Sequence, residues 1–361
     1  MTAMTSPVAI LRTRPETVVE DYGRLLRLVK YDQVLTRDRD LILKLNLSWT
    51  KYFPACSSQP WQVDGVVTTL LADGFDPARI FPVENKTVVT DPVEGCRNNK
   101  WMPVLQRHGL PFIPLPEVEW TVYRFASPLL KLNQIFPEGI EIPKMYVGKN
   151  ICHLPSVKTH GHSVTTGAIK NAFGGLLKEV RHYAHEFIHE VMVDLMLMQR
   201  ELHPGVFALM DGTVMGDGAG PRTMIPKVGN LILASADQVA IDAIAARIMG
   251  FDPLAIPYLR MCQERGLGVA DPKKIELVGD ADAGNINMGF ATSRSLVIWG
   301  DQLIRRGPLR PLKRLLLHSP LVVWAPFASN VYHDWLWYPT VGRKRIRAFD
   351  ATPWGRLFAS Y

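Results

Sequence analysis

From residue 40 onward, short apolar runs alternate with stretches patterned for helix, and no other feature of the chain constrains its fold as strongly. "DLILKLNLSW" (40–49) reads as a buried strand ending on Lys44 and Asn46. "VDGVVTTLLADGF" follows as a helix closed by Gly74, "RIFPVEN" as a second strand, "NNKWMPVLQRHGL" as a second helix and "PFIPL" as a third strand. The series resumes with "NICHLPSVK", a helix in "TTGAIKNAFGGLL", a longer helix over about 178–202, and the strand "GVFALMDG" before a glycine-rich loop. In "NLILASADQVAIDAIAARIMGF" a strand precedes a helix with Asp237 as N-cap and Gly250 as C-cap. Strands separated by helices imply Rossmann-like βαβ units, hence an α/β protein whose mostly parallel sheet carries helices on both faces. The expected organisation is an N-terminal α/β half (1–150), a second α/β half carrying the site loop (151–300) and a basic, Trp/Pro-rich C-terminal extension (301–361).

The opening "MTAMTSPVAILRTRPE" has no apolar stretch long enough for a signal peptide, so a cytoplasmic protein is expected. Four well-separated cysteines with no CxxC pair suit a reducing compartment and argue against an iron–sulfur cluster or zinc ribbon. The net charge of +7 resides in residues 301–361, which hold ten Lys/Arg and three acids; the other 300 residues balance. Within that extension, 315–339 lacks Lys, Arg and Glu but holds three tryptophans. Pro320, Pro326, Asn330, His333 and Asp334 break it up, which argues against a bilayer span. Two readings remain: an aromatic wrap packed on the body, which is preferred, or peripheral contact with an anionic membrane surface. Nucleic acid fits less well, because the aromatics sit in an apolar run and are not interleaved with the charges.

"KTHGHSVTTGAIKNAFGG" (158–175) concentrates reactive side chains where a strand gives way to a helix. Lys158, His160 and His162 alternate, so extended backbone would put all three on one side. Thr165 or Thr166 can cap the helix, whose free N–H groups would offer an anion site, with Lys170 and Asn171 one turn in. Ligands of open α/β sheets bind at the carboxyl ends of strands, where this loop belongs. The bland alternative is a polar loop whose threonines only cap.

"HEFIH" (185–189) spells a zinc-protease signature. No third ligand follows at the offsets such enzymes use, so a protease is not expected. On a helical wheel over 178–202, His182, His185 and His189 lie opposite the apolar face formed by Val191, Leu195, Met198 and Leu202. They would line a cleft, with or without a divalent metal, or face water. In "ALMDGTVMGDGAGPRT" (208–223), Asp211 could serve as a site acid or metal ligand and Asp217 could contact substrate among glycines. Neither a dinucleotide fingerprint nor a P-loop is present, and Asp237 and Asp242 are expected mainly to cap and solvate their helix.

"LPSVKTH", "VTTGAIKNAFGG", "MDGTVMGDGAGP", "ILASADQVAIDAIAARIMGFDP" and "ERGLGVADP", in that order, resemble the domain-of-unknown-function family 362. "LILKLNLS" resembles that family's opening strand, with Leu45 where a proline is usual. The likeness covers roughly 40–280 and implies a shared site around Lys44, Lys158, His160, Thr165, Lys170, Asn171 and Asp211. Many members carry a ferredoxin-type cysteine cluster, which this chain lacks. The strand–loop–helix is also distantly similar to the N-terminal domain of lactate-racemase-like proteins, which use a nickel pincer cofactor. The expectation is an enzyme moving a proton (an isomerase, racemase or lyase) on a small carboxylate or phosphate. Catalysis would fall to Lys158, His160, His162, Lys170 and Asp211, and substrate contacts to Lys44, Asn46, Thr165, Thr166, Asn171 and Asp217. A metal, where one is used, would sit on His182, His185 and His189. The rivals are a non-catalytic protein docking lipid or a partner through its tail, and a metal-dependent enzyme.

Overall fold

The structure, a computed structural model, describes residues 7–87, 89–178, 184–305, 307–308, 311 and 324–361. Its strands are β1 (Val8–Arg12), β2 (Leu41–Lys44), β3 (Ile80–Glu84), β4 (Ile113–Pro114), β5 (Trp120–Tyr123), β6 (Ile140–Pro143), β7 (Asn150–His153), β8 (Ser156–His160), β9 (Val164–Thr166), β10 (Val206–Ala219), β11 (Thr223–Ser235) and β12 (Leu277–Gly279). The principal helices are α1 (Val18–Leu28), α2 (Pro60–Ala72), α3 (Pro92–Asn98), α4 (Trp101–Arg107), α5 (Leu132–Ile135), α6 (Ala168–Leu176), α7 (Ile188–Leu202), α8 (Gln238–Met249), α9 (Pro257–Glu264) and α10 (Leu296–Arg305).

One sheet runs β12-β1-β11-β10-β7-β2-β3-β4, with β8 beside β10 and β9 beside β8. The run from β10 to β4 is parallel throughout, while β1, β11 and β10 pair antiparallel. Strands from both sides of residue 150 share this sheet, since Leu41–Lys44 pairs in register with Asn150–His153. Alternate side chains enter opposite cores. Ile10 and Ile42 pack with α6, α7, α8 and α9, whereas Ala9, Leu11, Leu41 and Leu43 pack with α1, α2 and α4. The α/β expectation holds, with helices on both faces. β2 is buried along its whole length, as a parallel strand covered on both faces must be.

Three local expectations change. The glycine-rich "loop" after "GVFALMDG" continues as strand to Ala219 and forms a long hairpin with β11, because its glycines leave room for close neighbours. A second hairpin, β8–β9, precedes α6, pairing Lys158 with Thr166 and His160 with Val164. The helix expected over 178–202 begins only at Ile188, after a single tighter turn at 184–187. His182, and the wheel positions around 180–183, lie outside the described residues. The α8 caps are as expected: Asp237 accepts from the N–H groups of Val239 and Ala240, and Gly250 closes the helix.

Residues 331–361 pack on the body. Trp49 Nε1 donates to Asp334 Oδ1 at 2.6 Å, and its ring meets Tyr338 and Trp337 at centroid distances of 5.1 and 6.0 Å. Tyr52 stacks on Phe358 at 3.8 Å, and the buried Trp354 ring meets Trp61 at 5.1 Å. The wrap therefore describes this part of the extension. Arg306, Arg310, Lys313, Arg314 and residues 315–323 lie outside the described residues. No helix among the described residues is long and apolar enough to cross a membrane.

Candidate functional site

The carboxyl ends of β2, β3 and β7 carry Lys44, Glu84 and His153 side by side. Lys44 Nζ donates to Glu84 Oε1 at 2.6 Å and to the Leu45 carbonyl at 2.6 Å, and both side chains are buried. Such a pair needs further hydrogen bonds to offset its desolvation, and here Asn85 N–H donates to Glu84 Oε1 at 2.7 Å. Helix α6 lies across it: Asn171 Nδ2 donates to the Lys44 carbonyl at 3.0 Å and faces His153 Nδ1 at 3.4 Å, while its Oδ1 accepts from Asn46 at 3.2 Å. Gly175 permits this approach, since a Cβ there would stand 2.9 Å from the Tyr146 hydroxyl and 3.0 Å from Lys44 Cε. His153 is fully buried with Nε2 at 2.7 Å from Gln199 Oε1, and burial pushes its imidazole down to about 3.

Lys158, on β8, is wholly buried and donates to Asn46 Oδ1 at 2.5 Å, Ser48 Oγ at 3.1 Å and the Cys56 carbonyl at 2.5 Å. All three acceptors are neutral. A buried ammonium without a hydrogen-bonded carboxylate is costly, and burial lowers Lys158 to about 8. Three buried polar atoms nearby or opposite, Glu84 Oε2, the Tyr146 hydroxyl and Thr166 Oγ1, have no hydrogen-bond partner among the described residues. Buried polar atoms are rarely left so, and these have capacity to spare for a bound molecule.

At the end of β8 the chain turns through residues 161–163 into β9. His160 Nδ1 accepts the N–H groups of His162 (3.1 Å) and Ser163 (3.4 Å), which assigns the proton of the neutral ring to Nε2. Burial, then Lys170 and the neighbouring imidazoles, hold His160 well below its usual range. The ring centroids of His160 and His162 are 5.9 Å apart, and those of His162 and His185 are 5.5 Å apart. His185 meets the edge of Phe173 at 5.3 Å, and Lys170 Nζ lies 5.2 Å from that same ring's centre. The 158–175 loop and the "HEFIH" segment therefore meet in one place. Val164 holds this turn at φ +69°, a backbone state that β-branched residues rarely adopt. Outside the cluster, a cleft of about 440 Å³ opens between Gly161–His162 and α10, lined also by Arg294, Trp299 and Gln302.

The start of α6 is not open to an anion. Gly167, not Thr165 or Thr166, is its N-cap, and the Asp242 carboxylate from α8 already accepts from Ala168 N (2.6 Å) and Ile169 N (3.2 Å). Any Cβ on Gly167 would run into that carboxylate. Burial raises Asp242 to about 7. Thr165 instead shares a 2.9 Å hydrogen bond with Tyr258, and Thr166 belongs to β9. His162 leaves the Lys158–His160 row because the turn intervenes, yet it stays beside His160.

Asp211 and Asp217 stand apart from the cluster. Asp211 is buried against α1 and α2, accepting from Tyr22 (2.8 Å), Trp61 Nε1 (3.0 Å) and Thr213 Oγ1 (2.7 Å), and burial raises it to about 6. With donors on that side and none of the lysines or histidines, it pins the sheet to its helices. Asp217 is tied to Lys227 at 2.8 Å and to Ala291 N at 3.0 Å. In the "HEFIH" segment, His185 lies on the tighter turn while His189 stacks on Tyr258 at 6.1 Å, so the pair does not share one regular helix. Among the described residues, no group of three His, Cys, Asp or Glu is placed to hold a metal.

Residues 41–247 match the family described as "Domain of unknown function (DUF362)". The chain belongs to the DUF362 family. This DUF362 chain is also 25% identical over 180 residues to a thylakoid-associated protein of Synechocystis sp., a match covering 48% of this chain. It spans about half the length of that curated relative, at 52%. Neither match concerns lactate-racemase-like proteins. The DUF362 region contains Lys44, Glu84, Lys158, His160, Lys170 and Asp242, whereas Arg294 and α10 lie beyond it. Sequence reading missed Glu84, His153 and Arg294. The first two could have been found by asking which polar residues end adjacent parallel strands.

Proposed function

We propose that this DUF362 protein is an enzyme that binds a small carboxylate or phosphate in the cleft beside His162 and moves a proton on it. The observation that carries this reading is the row of imidazoles His160, His162 and His185, which ends at a cleft holding Arg294. Arg294 would hold the anion through its guanidinium fork, with the Gln302 amide beside it. His162, half-buried and lining the cleft, would take a proton from the carbon next to the carboxylate. His160 is the wrong group for that step, because its surroundings resist its protonation and its Nδ1 already accepts two backbone N–H groups. It would donate a hydrogen bond from Nε2 to the oxygen on which negative charge develops. Lys158 and the Lys44–Glu84 pair would fix the strand ends that carry this turn. Four buried, free cysteines suit action in a reducing compartment such as the cytoplasm.

The test is solvent exchange. The full chain is incubated in D2O with a panel of small 2-hydroxy carboxylates, and deuterium at the carbon next to the carboxylate is read by NMR. Catalysed incorporation that falls at least about 100-fold in His162→Ala is expected. Incorporation that is unchanged in His162→Ala, or absent across the panel, would overturn the reading.

A further inference from the structure

We propose that the outer side of the segment 327–347 is a docking surface for an anionic lipid bilayer. The inner side of this segment is fully used. His333, Trp337 and Tyr338, with Phe349 just past its end, turn toward Trp49, Phe53 and Tyr52, and Arg345 reaches the carbonyls of Thr223 and Met224. The outer side is a different surface. The chain is helical from Trp324 to Asp350, and Trp335, Leu336, Thr340, Arg343, Lys344 and Arg347 recur along it about every four residues, all of them exposed. Trp335 and Leu336 are 66% and 58% exposed, although each would gain from leaving water. The Phe327 ring, 62% exposed, meets Trp335 edge-on at 6.3 Å and widens the apolar end.

Aromatic side chains at one end and cations at the other, on one side of a helical segment, match a membrane interface: rings enter the headgroup layer while guanidinium and ammonium groups meet lipid phosphates. The charge balance agrees. Within 324–361 there are five Lys/Arg and two acids, and one of those acids, Asp334, is engaged by Trp49 on the inner side. The other, Asp350, lies past Arg347, the last cation of the outer side. The segment would lie along the surface and not cross it, which agrees with its short length and Pro339. This surface is separate from the histidine cleft, and its assignment does not depend on the proton-transfer reading.

Co-sedimentation of the full chain with vesicles tests this, using phosphatidylcholine alone against phosphatidylcholine with phosphatidylglycerol, at low and physiological salt. Binding to the anionic vesicles only, weakened by salt, is expected. Trp335→Ala/Leu336→Ala and Arg343→Gln/Lys344→Gln/Arg347→Gln should each weaken it by about tenfold or more. A charge control, Arg14→Gln/Lys30→Gln on the exposed surface elsewhere, should bind as the wild type. Circular dichroism of each variant establishes that it is folded, as substitutions at exposed positions should allow. No vesicle binding, equal binding to neutral vesicles, or equal loss in the charge control would overturn the proposal. So would a wild-type dimer that Trp335→Ala/Leu336→Ala converts to monomer, since a second copy would then be the occupant.

Discussion

The carboxylate of Asp242 sits 2.6 Å from the backbone nitrogen of Ala168, so that one helix of this protein caps the helix carrying its candidate site. The contact explains why Gly167 precedes α6, and it fills the start of α6 with a carboxylate of the chain's own. Asp242→Ala should cost about 1–2 kcal/mol, the usual effect of losing an N-terminal cap, read by urea denaturation.

The same carboxyl makes a pH signature. Its folded pKa, about 7, is raised above the unfolded carboxyl value, so between about pH 4 and 7 the folded state holds the extra proton. Its contribution to stability is therefore present at the acid end and lost as pH rises through 7. Stability measured from pH 4 to 8 should fall less steeply, or rise more, in Asp242→Asn than in the wild type. Identical pH slopes in the two proteins would remove this role.

Lys158 gives a signature at the alkaline end. Its folded value, about 8, lies below that of an unfolded lysine, so the unfolded chain holds more protons between about 8 and 10.5. Burial of the ammonium opposes folding below pH 8, and that penalty is relieved as pH rises through this window. Lys158→Met should lack the alkaline gain in denaturation midpoint. It should also loosen the loop at Asn46–Cys56, seen as faster amide exchange there.

The Lys44–Glu84 pair should behave as a buried unit. Lys44→Met alone leaves an uncompensated carboxylate and should cost about 3–5 kcal/mol, whereas Lys44→Met/Glu84→Gln should recover much of the loss. Gly175→Ala, which drives a methyl toward Tyr146 and Lys44, should cost about 1–3 kcal/mol by overpacking. Thermal unfolding of the four proteins checks both statements.

The fold was legible where one local pattern decided it. Apolar runs such as "LILK" and the Asp237–Gly250 capping pair read correctly because burial on both faces and cap chemistry are local facts. The β8–β9 hairpin was not legible. "GHSV" carries no ordinary turn signal at Val164, whose left-handed backbone is imposed by its surroundings. The family resemblance was legible from blocks in order, and the match over 41–247 bears it out. The grouping of the candidate site was half legible. Lys158, His160, His162 and Lys170 were evident as a local cluster, and the structure places His185 beside them. Asp211 misled because an acid after a strand looks the same in sequence whether it faces a ligand or, as here, Tyr22 and Trp61. Glu84 and His153 needed the strand order, which no single segment contains.

The most direct measurement is calorimetric titration of the wild type, Arg294→Gln and His162→Ala with inorganic phosphate and a panel of small carboxylates. Saturable binding of at least one anion by the wild type, weakened about tenfold or more in both variants, is the predicted result. Binding of equal strength in all three proteins, or none in the wild type, would contradict a small-anion site in the His162–Arg294 cleft.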